Sequence, residues 1–375
     1  MPKLIFASTR DSDMHYAVKI PITSPFFLLE IRGQKLVYLD KRDFGLIPRE
    51  ARVKSIRLEP LADTAKKLRM KTSDRNKLVY TIFKKNKLFG KKIEVPVHFP
   101  LDMADFLRRR GAKLVPIYPF YPERAVKTEE EIKYIQENLS HTKAAFRIIE
   151  KILGQSKIKR NRIYYQNKVL TSEFLKQEAE YALVEKGMFD LLGMIISTGK
   201  QTAIPHHDGS GSLKPHEPIV CDIFPRHRKT GYFADMTRTY VKGKPSEKVL
   251  KMHNAVLKAQ LAAIKKIPAS PAGRRAGVQA KEVYETAAGI IKKAGFDIGE
   301  VGFIHSLGHG VGLDIHEKPS LKADSEDILE AGNVITIEPG LYYPEVGGVR
   351  IEDIILVTKT GCKNLTNYPK KLTIV

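Results

Sequence analysis

The chain has 375 residues, of which 42% are hydrophobic and 28% charged, the proportions of a soluble globular protein long enough for two domains. No stretch approaches the roughly 18 consecutive apolar residues of a membrane-spanning helix, so a spanning segment is excluded. Two cysteines, Cys221 and Cys362, cannot make a disulfide framework, and a formal net charge of +22 is the one compositional anomaly.

The first residues, Met1–Arg10, read as a strand and lack the apolar core of a signal peptide. With the sparse cysteines, this makes a reducing cytoplasm the expected compartment. The basic excess is uneven: residues 1–125 carry 27 Lys and Arg against 13 Asp and Glu. It gathers in runs such as Lys84-Lys85, Lys91-Lys92 and Arg108-Arg109-Arg110. No nucleic-acid-binding motif accompanies these runs, and they are interspersed with apolar positions. They read as solvated surface, with no specific nucleic-acid partner expected.

In chain order, the pattern predicts strands at Lys3–Ser8, in a hairpin over Phe26–Asp40 around Gly33, and at Val53–Leu58. Helices are predicted over Leu61–Met70 and Asp74–Lys87. A strand follows at Ile93–His98, a helix at Leu101–Arg110 and a strand at Lys113–Ile117. Such alternation argues an α/β domain. Three prolines within Pro116–Pro122 mark the domain boundary. Thr128 and Glu131 then form a capping box with acidic residues in the first turn, and Ile132, Ile135, Leu139, Phe146, Ile149 and Leu153 follow at helical spacing. Further helices are predicted from Thr171, from Ser246 and over Lys281–Ala294. Between them lie β-rich stretches at Ile219–Phe224, Tyr232–Val241, Val334–Glu338 and Gly348–Val357. The second part is therefore α+β.

Five polar residues stand where this sheet should be apolar. Asp222 interrupts Ile219–Phe224, and Asp235 lies in Tyr232–Tyr240. Glu338 ends Val334–Ile337, Glu352 lies within Val349–Ile355, and His309 sits in Gly308-His309-Gly310-Val311-Gly312. A buried carboxylate needs a partner, because desolvation costs several kcal/mol. Each acid alone is better explained by a Lys or Arg partner or by a solvent-facing strand edge. The set of five favours two divalent metals, with carboxylates bridging them and an imidazole completing one coordination sphere. His305 and His309 are four apart, but Ser306 stands where a zincin helix needs its glutamate, and the glycines oppose a helix. The glycine spacing also fails the dinucleotide-binding fingerprint.

The stretch His305–Glu317, together with Asp235-Met236-Thr237-Arg238-Thr239, Ile337-Glu338-Pro339-Gly340 and Gly348-Val349-Arg350-Ile351-Glu352-Asp353, resembles the motifs of the pita-bread-fold metallopeptidases. That family includes Xaa-Pro aminopeptidases, prolidases and methionine aminopeptidases. The resemblance covers residues 124–375. It implies a pita-bread catalytic domain over residues 123–375, and residues 1–122 resemble more loosely the smaller α/β, creatinase-N-like domain of the proline-specific branch. Carried over, the pattern implies that Asp222 ligates one metal, His309 and Glu338 the other, and Asp235 and Glu352 both. Glu338 also shuttles a proton, His316 stabilises the oxyanion, and His206 lies near the scissile bond. His305, His316 and Arg350 shape the proline side of the pocket. His207 is the alternative to His206, and Thr237 is expected to orient Asp235.

The resemblance further implies two divalent ions (Mn, Co, Fe or Zn), a peptide substrate with proline second, and a homodimer. An Xaa-Pro aminopeptidase is the leading expectation. The alternatives are an Xaa-Pro dipeptidase (prolidase), a pita-bread binding protein without metals, and a creatinase-like hydrolase. Two features depart from the family pattern: Phe224 stands where glycine is usual, and Asp235 follows Asp222 by 13 positions, a longer loop.

Overall fold

The computed structural model describes residues 1–46, 56–60, 74–267 and 277–374. The chain divides into two compact units, Met1–Pro122 and Glu123–Val375.

The first unit is a six-stranded mixed sheet. Its strands are β1 (Lys3–Ala7), β2 (Phe26–Ile31), β3 (Gln34–Leu39), β4 (Ile56–Pro60), β5 (Lys92–Pro96) and β6 (Lys113–Ile117), in the order β4-β3-β2-β1-β5-β6. Successive side chains point to opposite faces, and both faces are covered. Leu4, Phe27 and Leu29 pack with α2 (Arg75–Lys85) and α3 (Leu101–Arg108), whereas Ile5, Phe26 and Leu28 pack with Met14 and Val18 of α1 (Ser12–Val18). Burial on both faces explains why Phe26–Leu29 is an unbroken apolar run. The hairpin between β2 and β3 turns on Arg32 and Gly33, both at positive φ, the geometry of a two-residue turn that matches strand twist.

Helix α1 escapes the sequence pattern because Asp11, its cap, and Ser12, Asp13 and His15 read as a polar loop. The predicted helix Leu61–Met70 lies outside the described residues, as does the start of the predicted strand Val53–Leu58. Pro116 is tolerated in β6 because that strand is an edge, where a missing N–H costs no ladder bond. Lys84, Lys85, Lys91, Lys92 and Arg108–Arg110 are exposed, as solvated cations should be.

In the second unit, α4 (Glu129–Gln155) opens with the predicted capping box, closed in both directions between Thr128 and Glu131. It buries Ile135, Leu139, Phe146, Ile149 and Leu153. Helices α5 (Ser172–Val184), α6 (Glu247–Lys266) and α7 (Ala280–Lys293) follow, with Thr171 and Ser246 as the caps of the first two.

In one sheet β7 (Ile195–Thr198), β8 (Ile219–Ile223) and β9 (Met236–Lys242) pair antiparallel in that order, and Thr373–Ile374 adds parallel to β9. Four further segments are β10 (Gly308–Gly310), β11 (Glu317–Leu321), β12 (Val334–Ile337) and the hairpin of β13 (Gly340–Tyr343) with β14 (Gly347–Arg350). Together with β15 (Asp353–Thr358) and β16 (Gly361–Asn364), β10–β12 make a second sheet in the order β11-β10-β12-β15-β16. Helices α6 and α7 cover one side of it, burying Val256, Ala259, Val283 and Ile291 against Ile335, Ile337, Ile351 and Ile355.

Two of the predicted β-rich stretches contain strands that do not fill them. Tyr232–Ala234 is not part of β9: Phe233 and Ala234 donate their N–H groups to Gly312 and Pro225, so the strand begins only at Met236. Gly348–Val357 is not one strand but two, interrupted at Ile351 and Glu352. Among the described residues, no helix is long and apolar enough to cross a membrane.

Candidate active site

The interruptions in these strands are where the chemistry sits. Asp222 is the last residue but one of β8, paired with Ile195 of β7 on one side and Thr237 of β9 on the other. Asp235 immediately precedes β9, Glu338 immediately follows β12, and Glu352 occupies the break between β14 and β15. His309 lies in β10, where the register against β11 slips between His309 and Gly310. The glycines are required here, since a Cβ on Gly308 would lie 2.0 Å from the Thr336 carbonyl oxygen. All five residues line one cavity of about 620 Å³, with His206, His305, His316 and Arg350 around them.

The local hydrogen bonds aim these groups inward. Thr336 Oγ1 accepts from the His309 N–H at 3.0 Å and donates to Glu338 Oε1 at 3.2 Å. His309 Nδ1 lies 3.2 Å from the Gly310 carbonyl. Nε2 is thereby turned to Glu338 Oε1, at 3.1 Å, and Asp235 Oδ2, at 3.8 Å. Thr237 Oγ1 donates to Glu352 Oε2 at 2.8 Å, so the hydroxyl expected to orient Asp235 orients Glu352 instead. Arg350 Nη2 donates to Asp222 Oδ2 at 2.6 Å, and its Nη1 donates to the Tyr342 hydroxyl at 2.6 Å. The same hydroxyl lies 2.9 Å from His305 Nε2. Arg350 and His305 thus line the cavity, but each is already held by Tyr342.

The electrostatics fit a cation site. Burial pushes the carboxyls of Asp222, Asp235 and Glu352 above the ordinary carboxylate range; repulsion from the other site carboxylates, Glu338 included, adds to it, while Arg350 partly offsets it at Asp222. Glu338 goes the other way: burial would raise it, but the hydrogen bond and charge of His309 hold it below its usual range. The same pairing lifts His309 to about 9 despite its burial. Partial desolvation and the neighbouring His309 lower His316 to about 4, so its ring is neutral at pH 7. Asp222 Oδ1 is buried with no partner, and ligand atoms of Asp235, His309 and Glu352 lie within 4.8 Å of one another. Clustered carboxyls, one imidazole and an orphaned oxygen are the donor set of a divalent-metal site.

Around this centre, the rings of His309 and His316 meet edge to face, 4.2 Å apart. His206 lines the cavity, whereas His207 Nδ1 accepts from the Gly209 N–H. Phe224 joins Leu192 and Ile195 in an apolar wall. The long Asp222–Asp235 loop is taken up by Arg226 and His227 pairing with Met188 and Phe189, which leaves both aspartates at the cavity. Tyr342 and Thr336 had no signal in the sequence, being ordinary strand residues until their partners are seen.

The model of metallopeptidase family M24 matches residues 140–359. The chain is 38% identical to the Xaa-Pro dipeptidase of Pyrococcus furiosus over 255 residues, 66% of this chain and 65% of that relative, and so spans just under two thirds of its length. It is 33% identical over 269 residues to the uncharacterized peptidase YqhT of Bacillus subtilis, covering 70% of this chain and 69% of that one. Among solved structures, the prolidase from Pyrococcus furiosus superposes with a TM-score of 0.77 at 26% identity, covering 98% and 97% of the two chains. The Xaa-Pro dipeptidase from Bacillus anthracis superposes with a TM-score of 0.79 at 26% identity, covering 100% and 95%.

Proposed function

Because the chain belongs to metallopeptidase family M24, with its pita-bread fold, we propose that it hydrolyses the bond between an N-terminal residue and a following proline, with Xaa-Pro dipeptides as substrates. The observation that carries this reading is the convergence of Asp222, Asp235, His309, Glu338 and Glu352 on one cavity. Relatives in Pyrococcus furiosus and Lactobacillus helveticus are Xaa-Pro dipeptidases, which supports the dipeptidase over the aminopeptidase that the sequence motifs put first.

In this reading Asp222 would hold one divalent ion and His309 and Glu338 a second, with Asp235 and Glu352 serving both. When bound, such ions supply Lewis acidity and bring water within reach of deprotonation at neutral pH. Glu338, ionised because His309 faces it, accepts a proton from the attacking water and passes it to the proline nitrogen as the C–N bond breaks. That transfer is needed because proline leaves as a strongly basic secondary amine. The neutral ring of His316 donates an N–H to the carbonyl oxygen as negative charge develops there. His316→Ala is accordingly expected to lower kcat by about 10²-fold with little change in KM; steady-state kinetics showing a raised KM and an intact kcat would remove the role.

One observation favours a second reading, cleavage of longer peptides. The only Lys or Arg among the described lining residues is Arg350, and Asp222 and Tyr342 already engage it. A dipeptide's carboxylate would therefore meet imidazoles and no free guanidinium or ammonium. Four substrates separate these cases: Ala-Pro, Ala-Pro-Phe, Ala-Ala and N-acetyl-Ala-Pro. Ala-Pro is expected to turn over about 100-fold faster than Ala-Ala, and acetylation to abolish cleavage. Faster cutting of Ala-Pro-Phe than of Ala-Pro establishes the second reading. Equal rates on Ala-Pro and Ala-Ala overturn proline specificity.

A further inference from the structure

The buried face of α6 carries Met252, Val256, Ala259 and Ala263, all fully enclosed. Gln260 stands among them, equally enclosed, and an uncharged amide in such a face needs a reason. Its Nε2 donates to the carbonyl oxygens of Ile337, at 2.9 Å, and Ile351, at 3.1 Å. Those residues immediately precede Glu338 and Glu352.

The strand ladder lapses at this point. The last β12–β15 pair is Ile337 with Asp353, and the β13–β14 hairpin resumes only with Gly340 opposite Arg350. Between the two pairs, Ile351 N–H reaches Pro339 O at a long 3.4 Å. Both glutamates thus rise from a gap in the sheet, and an ordinary ladder does not set the spacing of their backbones. One amide group spans the gap from behind. The Gln260 Oε1 has no partner, so the side chain's geometry serves its two donors alone.

We propose that Gln260 is a positioning residue: by holding the Ile337 and Ile351 carbonyls together, it fixes the separation of Glu338 and Glu352 and thereby the affinity of the centre for divalent ions. This inference rests on the reading of those glutamates as metal ligands. Groups behind a ligand typically alter metal affinity about 10–100-fold when lost.

The test is Mn(II) titration followed by calorimetry and by the electron-spin resonance of the bound ions, none of which depends on turnover. The proteins are the full-length wild type, Gln260→Met, Gln260→Glu and Val256→Ala. Methionine keeps the volume and removes both donors, while glutamate keeps the shape and brings at most one. Val256→Ala, one turn away on the same face, opens a cavity without touching either carbonyl. Both Gln260 variants are expected to bind Mn(II) at least about tenfold more weakly, with an altered resonance signal, and Val256→Ala to bind like wild type. Wild-type affinity in folded Gln260 variants overturns the proposal, as does an equal loss in Val256→Ala at matched thermal stability. Failure of both Gln260 variants to fold assigns the residue to the fold rather than to ion spacing, and also overturns it. A wild-type chain that takes up no divalent ion refutes the underlying metal reading itself.

Discussion

Glu338→Gln is expected to lower kcat by at least about 10³-fold while the chain still folds, because one substitution removes both a metal-holding oxygen and the proton acceptor. The amide is nearly isosteric, so packing around β12 is kept. What changes is charge: His309, lifted to about 9 by its bond and attraction to Glu338 and Asp235, loses one of its two acidic partners. In the ion-free protein the variant should therefore show a His309 that titrates lower than in wild type, which NMR of the imidazole reports independently of activity. Retention of more than about a tenth of wild-type kcat would remove Glu338 from the proton path.

Stripping divalent ions with a strong chelator is expected to bring hydrolysis to background, and adding Mn(II) or Co(II) back to restore it. Stability should fall with activity, since ligands that bind only the folded chain stabilise it by mass action. The ion-free protein also has a predictable pH dependence. Asp235 and Glu352 are held well above their ordinary values of 3.8 and 4.5, so the folded chain binds protons there more tightly than the unfolded one. Their contribution is fully present below those ordinary values and is lost as pH rises toward the raised ones. Glu338, lowered instead, acts below its ordinary value of 4.5 and so outside this window, whereas the lowered His316 opposes the trend as pH falls through the imidazole range. The gain in thermal midpoint when saturating Mn(II) is added to the chelated protein should therefore grow from mildly acid to neutral pH, because the ions then displace fewer protons from these carboxyls. Chelator-insensitive hydrolysis, or a midpoint indifferent to ions, counts against the centre.

Much of this protein is legible without coordinates. The capping box at Thr128 and Glu131, the hairpin around Gly33 and the helices after Thr171 and Ser246 follow from contacts a few residues apart, which local sequence specifies. The polar interruptions at Asp222, Glu338 and Glu352 also announce themselves as a set, because several carboxylates in one apolar sheet repel one another unless cations lie between them. Helix α1 is not legible in the sequence because its polar residues obscure a short apolar face.

What the tertiary structure alone decided is which groups answer which. That Thr237 serves Glu352, that Arg350 and His305 are tied to Tyr342, and that His206 and not His207 faces the cavity all depend on strands far apart in sequence. The same holds for Gln260, which in a helical pattern is merely a polar break in an apolar face. Its meaning appears only when two strand interruptions, 14 residues apart in sequence, lie side by side above it. Periodicity records which side of an element is buried. Hydrogen bonds across an enclosed site are set by distances and angles between separate elements, and these exist only once the chain has packed.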